Sequence, residues 1–284
     1  MASDFTACGH PQLRASGLPP GGPATPTRFG LLAYLLPWAL AACDAAPAAH
    51  LPKPRVEHWQ TVAGLEFLEV IPAGPGADAR LPMVVFIHGL GDHPQAAWIE
   101  PDAPTARYIL PRAPQPHGKG FSWFPYRVGT KHPALPSAIE GAIEQLAQLL
   151  THLAHDKPTA GRAVLSGFSQ GGILSFGLAL RHPQLVGLAH PVSGWLPPSL
   201  WPAAPRPKVR NPPIVAAHGT ADSIVPLAPT RQMVKTLAAR GFDIRLKEFE
   251  GIGHGQSEPM KALMEALVDQ GIADALRRRG GLPK

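Results

Sequence analysis

With 284 residues, 45% of them apolar, the chain has the material for one α/β domain whose sheet is buried on both faces. Its formal charge of +6 is scattered apart from Arg277-Arg278-Arg279, and no basic stripe interleaved with aromatics appears, so nucleic acid is excluded as a partner. Thirteen histidines raise the question of metal, yet there is no His-Glu-x-x-His motif and no phosphate-binding glycine loop after a strand, so neither metal nor cofactor is expected.

The 35 prolines gather in the first 54 residues and around Pro197 to Pro213, which read as a tail and a surface loop. Within the tail, Arg28 precedes the apolar run Phe29 to Leu40, too short to span a membrane as a helix, and small residues and Cys43 follow. Leu40-Ala41-Ala42-Cys43 resembles the lipobox of bacterial lipoproteins, which implies cleavage before Cys43, lipidation of that residue, and attachment to the periplasmic or outer side of a membrane in a bacterial envelope. The 27 residues before Arg28 are long for the head of such a signal, as a misassigned start would explain. Expected, then, are a leader over 1–42, a linker over 43–54 and a catalytic domain over 55–284. The alternative is a cytoplasmic protein with an apolar tail. Only Cys8 and Cys43 exist, so a mature chain beginning at Cys43 can form no internal disulfide.

Trp59 to Val62 and Leu65 to Ile71 alternate as an edge hairpin turning at Ala63-Gly64. Pro82 to Ile87 is a continuous apolar run, the pattern of a strand covered on both faces, and opens onto His88-Gly89-Leu90-Gly91-Asp92. A short strand is expected at Arg107 to Leu110. A helix begins at Pro136-Ser137, with Ile139, Ile143, Leu146, Leu149, Leu150 and Leu153 on its buried face. His152 and His155 fall on its exposed side. Ala163 to Gly167 then leads into Gly167-Phe168-Ser169-Gln170-Gly171, a serine between glycines at a strand-to-helix turn, the layout of a nucleophile elbow. The helix following it runs over 170–181. Strands are expected at 186–192, 214–218 and 244–249, and helices at 229–240 and 258–277. Strands alternating with helices predict a mostly parallel sheet covered on both faces.

A serine nucleophile needs a base and a group that orients the base. Asp222 falls on the loop after strand 214–218, and His254 on the loop after strand 244–249. The order Ser169, Asp222, His254 with three strand-to-loop placements predicts a catalytic triad. His88-Gly-Leu-Gly-Asp92, Gly167-Phe-Ser-Gln-Gly-Gly172, Ser193-Gly-Trp-Leu-Pro197, His218-Gly-Thr-Ala-Asp222 and Gly253-His254 together resemble the phospholipase/carboxylesterase family, which includes the acyl-protein thioesterases. The resemblance runs from about Leu81 to Val268. It implies an α/β-hydrolase fold and cofactor-free hydrolysis of an acyl ester, thioester or lysophospholipid. In such a fold the backbone N–H groups of Leu90 and Gln170 form the oxyanion hole. His88 and Asp92 read as loop-ordering residues. Trp123, Phe124 and Trp195 lie in segments that can reach the cleft and are candidate pocket residues, and Phe121 to Tyr126 points to short or medium acyl groups. An acyltransferase would use the same triad, and a hydrolase-fold binding protein without activity is the remaining alternative. Oligomeric state is not legible.

Overall fold

The computed structural model of the protein describes residues 55–72, 79–100, 102–125 and 132–277. The expected leader, the linker, Cys43 and Tyr126 lie outside these residues. In chain order the described elements are β1 (Arg55–Val62), β2 (Leu65–Pro72), β3 (Leu81–Ile87), β4 (Arg107–Pro111), β5 (Gln115–His117), β6 (Gly120–Ser122), α1 (Leu135–Asp156), β7 (Thr159–Phe168), α2 (Gln170–Arg181), β8 (Val186–Val192), β9 (Ile214–Gly219), α3 (Leu227–Ala239), β10 (Ile244–Phe249) and α4 (Glu258–Arg277). Eight strands make one sheet in the order β1-β2-β4-β3-β7-β8-β9-β10. β2 pairs antiparallel with both its neighbours, and the pairs from β4 to β10 are parallel. This is the mostly parallel sheet expected from the alternation of strands and helices, in the α/β-hydrolase architecture that the family resemblance implies.

The local reasons are visible in the residues. Ala63 (φ 51°) and Gly64 (φ 76°) both take left-handed backbone, so the β1–β2 turn is of the twisted two-residue kind that suits a hairpin. Six expected face residues of α1, Ile139 through Leu153, are buried, and Pro136 stands in its first turn, where a missing N–H costs nothing. β7 begins four residues earlier than the apolar run at 163–167, because Thr159 and Ala160 pair with Leu81 and Pro82. Gly161 breaks the pattern there. Its φ is 66°, and a Cβ would stand 2.8 Å from the Cα of Ala275, so the glycine admits α4 against the sheet. The β5–β6 hairpin was not expected, since Gln115-Pro-His117 shows no alternation. It is held by pairing with its own partner strand and by the bridge between Asp92 and Phe121.

Two cores sandwich the sheet. The larger joins α1, α2 and α3 to one face, with Leu165, Ile173, Phe176, Ile143 and Leu237 each within 1% of full burial. The smaller joins α4 to the other face through Leu267, Val268 and Ile272 against Val84, Tyr108 and Val164. Among the described residues no helix is long and apolar enough to cross a membrane.

Under the large core lies one charged cluster. Glu69 of β2 and Arg107 of β4, each 2% exposed, form an ion pair, and Gln60 and Lys157 also reach the Glu69 carboxylate. Burial alone would raise the Glu69 carboxyl, but the hydrogen bond and charge of Arg107, with Lys157 and Gln60, hold it below the ordinary glutamate value. Removing one partner leaves the other buried and uncompensated. Glu69→Ala should therefore cost about 3–5 kcal/mol in denaturant unfolding. A carboxyl with a depressed folded-state pKa adds stability that is complete above its ordinary value and is lost as pH falls through the folded one. Glu69→Gln should accordingly flatten the acid limb of the wild-type stability-versus-pH curve, and an unchanged limb would count against this account.

Candidate active site

Three loops converge at the carboxyl ends of the parallel strands: 88–92 after β3, 220–226 after β9 and 250–257 after β10. Ser169 stands among them between β7 and α2. Its backbone has φ 57° and ψ −116°, a conformation sparsely populated by residues with a side chain. Neighbouring contacts impose it. The Ser169 N–H donates to the Val192 carbonyl at 3.0 Å, and the Ser169 carbonyl accepts from Ile173 N–H at 3.0 Å. A Cβ on Gly171 would fall 1.9 Å from the Ile87 oxygen, and one on Gly172 would fall 2.4 Å from the Val192 oxygen. Glycine at these positions is thus the condition for α2 to start so close to β3 and β8, and the serine is turned outward as a result.

The histidine and the aspartate complete a relay. His254 Nε2 lies 3.0 Å from Ser169 Oγ, and His254 Nδ1 lies 2.8 Å from Asp222 Oδ2. The other carboxylate oxygen of Asp222 accepts the Ile224 and Val225 N–H groups at 3.0 and 2.8 Å. With every oxygen of Asp222 accepting, Nδ1 of His254 carries the hydrogen, and Nε2 presents its lone pair to the serine hydroxyl. Burial alone would raise the Asp222 carboxyl, but the hydrogen bond from His254, those from Val225 and Ile224, and the charge of His254 hold it below the ordinary aspartate value. It is a carboxylate at neutral pH, and the side chain is fully shielded from solvent.

Leu90 follows Gly89, which packs against Ser169, and Gln170 follows the serine in the chain. Gln170 opens α2, so its N–H is one of the donors that a helix start leaves without an internal partner. The Leu90 N–H has no backbone acceptor among the described residues. Gly89 brings the Leu90 loop against Ser169, since a Cβ there would meet the Ser169 Cβ and the Phe168 oxygen at 3.3 Å. His88 orders this loop from beneath: it is 2% exposed, its Nε2 accepts the Ala113 N–H at 3.0 Å, and its Nδ1–H donates to the Gly89 oxygen at 2.7 Å. Burial pushes the His88 imidazole down, consistent with a neutral ring in a structural role. Asp92 accepts the His93 N–H at 2.8 Å and bridges to β6.

The three candidate pocket residues fare differently. Trp123 and Phe124 are packed in the core, 2% and 1% exposed. The Trp123 indole N–H donates to the His88 carbonyl at 3.0 Å and its ring lies 5.3 Å from the His88 ring, so it braces the loop rather than meeting a ligand. Trp195 is half-buried, in a segment drawn against the start of α2 by Gly194, where a Cβ would stand 2.6 Å from the Gly172 carbonyl carbon.

Two supporting residues escaped the sequence reading. The Gln170 side chain, 2% exposed, accepts from Trp123 N–H at 3.0 Å and donates to the Phe124 carbonyl at 3.2 Å, clamping 122–124 to the elbow. His218, fully buried at the end of β9, donates from Nε2 to the Val225 carbonyl at 2.8 Å and lies 3.4 Å from Asp222 Oδ2. Its four-residue separation from Asp222 was the available signal. Burial pushes the His218 imidazole down, so it acts as a neutral donor that ties the aspartate loop.

Comparison with known proteins gives the family and the fold. The profile of the Phospholipase/Carboxylesterase family matches residues 71–268. A probable carboxylesterase of Oryza sativa subsp. japonica is 28% identical over 213 residues, 69% of this chain and 80% of that protein. Acyl-protein thioesterase 1 of Gibberella zeae is 30% identical over 202 residues, 63% of this chain and 86% of its own. The crystal structure of esterase PE8 superposes with a TM-score of 0.59 at 23% identity, covering 70% of this chain and 97% of that one, and shares the fold.

The clamp yields a prediction. Gln170→Ala keeps the backbone N–H at this position but leaves the Trp123 N–H buried without its acceptor, so it should lower unfolding free energy by about 1–3 kcal/mol. Thermal and denaturant unfolding measure this, and wild-type stability in the variant would show that the clamp carries no load.

Proposed function

The chain belongs to the phospholipase/carboxylesterase family and is a hydrolase of carboxylic esters or thioesters, and on that premise we propose that Ser169 carries the reaction through an acyl-enzyme. The observation that supports this is the pair of hydrogen bonds Ser169–His254–Asp222, at 3.0 and 2.8 Å. His254 takes the hydroxyl proton at Nε2 as Ser169 Oγ attacks the acyl carbonyl, and Asp222 steadies the resulting imidazolium. The oxyanion forms against the Leu90 and Gln170 N–H groups, where the start of α2 adds its favourable dipole. Collapse expels the alcohol or thiol, which receives its proton from His254. Water then enters, gives its proton to the same nitrogen, and the acid leaves. The acyl group in this reading is short to medium, delivered as a soluble ester, thioester or lysophospholipid, without activation at a lipid interface.

Nucleophile and base act as one unit, so Ser169→Ala and His254→Ala should each lower kcat on p-nitrophenyl butyrate by about 10⁴-fold or more, and the double variant should lose little further. Asp222→Asn should lose about 10⁴-fold through the wrong tautomer. Near-native turnover by a clean Ser169→Ala preparation would overturn the assignment.

We propose further that the mature protein is a lipoprotein anchored through Cys43 on the periplasmic or outer side of a bacterial membrane. The apolar run Phe29 to Leu40 followed by Leu40-Ala41-Ala42-Cys43 supports this. Several acyl chains at about 0.8 kcal/mol per buried CH₂ would hold the protein through high-salt washes. In a bacterial host with an intact lipoprotein pathway the wild type should fractionate with membranes and release into detergent, and Cys43→Ser should block lipidation and shift its migration. Soluble cytoplasmic protein retaining Met1 to Ala42 would remove the anchor while leaving the hydrolase intact.

A further inference from the structure

Parallel neighbours β3 and β4 are joined by residues 88–106, a connection whose described part carries no helix beyond the three-residue turn Ala96–Trp98. A crossover between parallel strands ordinarily lays a helix across the sheet. Here a cavity of about 730 Å³ lies between the connection, α4 and the ends of β3 and β7. Phe86, Trp98, Tyr108 and Phe168 give it aromatic walls, and Met264 and Val268 of α4 close it. Its size is that of a pocket for a small organic group.

The cavity reaches the edge of the reaction centre. Gly89 and Asp92 of the Leu90 loop line it on one side, and Gln256, two residues beyond His254, lines it on another. Phe168 lines it too, and the Phe168 ring lies 4.8 Å from the His254 ring. The departing group must stay within reach of the acid that protonates it, so it leaves on the His254 side of the tetrahedral centre. Phe168 and Gln256, neighbours in sequence of Ser169 and His254, put a wall of the cavity beside that side.

We infer that this cavity receives the leaving-group half of the substrate, and that it favours alcohols or thiols bearing a bulky apolar or cationic group over those bearing an anion. The inference rests on the hydrolase reading above and specifies its substrate. Asp92, Glu100, Asp102, Glu265 and Asp269 border the cavity against Lys261 as the lysine or arginine among the described lining residues. Lys261 is itself engaged, its ammonium 2.7 Å from Glu258. On a chain whose formal charge is +6, this border is a local reversal of sign. Carboxylates at the mouth concentrate cations and repel anions, and aromatic faces inside attract a quaternary ammonium once it is desolvated.

Four butyrate esters test this: methyl butyrate, butyrylcholine, the uncharged isostere with tert-butyl in place of trimethylammonium, and sulfoethyl butyrate. In the full chain, kcat/KM for butyrylcholine should exceed that for its isostere by about tenfold at low ionic strength, with the advantage shrinking in salt, and sulfoethyl butyrate should be the poorest. Glu265→Gln with Asp269→Asn, both on the exposed side of α4, should lower the butyrylcholine-to-isostere ratio by about threefold to fivefold. Met264→Trp, which fills the cavity, should lower the isostere-to-methyl ratio by about tenfold. Equal rates for the cationic, neutral and anionic esters, together with an isostere-to-methyl ratio indifferent to Met264→Trp, would overturn the cavity assignment while methyl butyrate turnover left the hydrolase reading standing. Failure of the wild type on all four esters would instead bring down the hydrolase reading itself.

Discussion

The start of α2 is pressed into the sheet, and the rest of the site depends on that contact. Gly171 lies where any side chain would overlap the Ile87 carbonyl, and Gly172 where it would overlap that of Val192. Because the helix begins at once, β7 has no room to end in a relaxed turn, and Ser169 absorbs the mismatch in its own backbone. The same contact sets Gln170 at the helix start, with its N–H outward and its side chain inward on 122–124. Ser169, the Gln170 N–H and one loop brace are therefore fixed by a single packing event.

Electrostatics follow from where the groups sit. Asp222 is desolvated, which by itself would favour a neutral acid, yet its two oxygens receive three N–H donors counting His254, and the charged form prevails. His88 and His218 are also buried; each donates to one backbone carbonyl, and burial pushes both imidazoles down. Three imidazoles in one neighbourhood thus have distinct duties, and their partners assign them. Only His254 turns a free nitrogen toward a hydroxyl.

Much of this was legible in the chain because it rests on local rules. Helices 170–181 and 258–277 and strands 186–192 and 244–249 begin and end where periodicity and glycine place them. The Ser169, Asp222, His254 order could be read since each residue lies in the turn or loop that follows a strand. What stayed hidden depends on residues far apart in sequence. Trp123 and Phe124 look like cleft aromatics by position, and only the fold shows Gln170 and His88 drawing their segment into the core. The β5–β6 hairpin has no pattern of its own and exists through its tie to Asp92. The cavity beside β3 arises from the absence of a helix, and no residue type announces that.

The helix-free crossover also separates what the molecule must keep from what it can vary. The elbow is held mainly from the α2 face, by glycine contacts with no slack, whereas the crossover is an irregular connection on the α4 face whose described residues pair with no sheet neighbour between β3 and β4 beyond the bridge at Asp92. Loops of this kind accept insertions and exchanges that strands do not. Changes in length or composition between His93 and Thr105 can therefore redraw the space offered to a substrate while leaving the energetics of the triad nearly additive and untouched. In this arrangement the chemistry is conserved by geometry, and diversity among such enzymes has a defined place to accumulate.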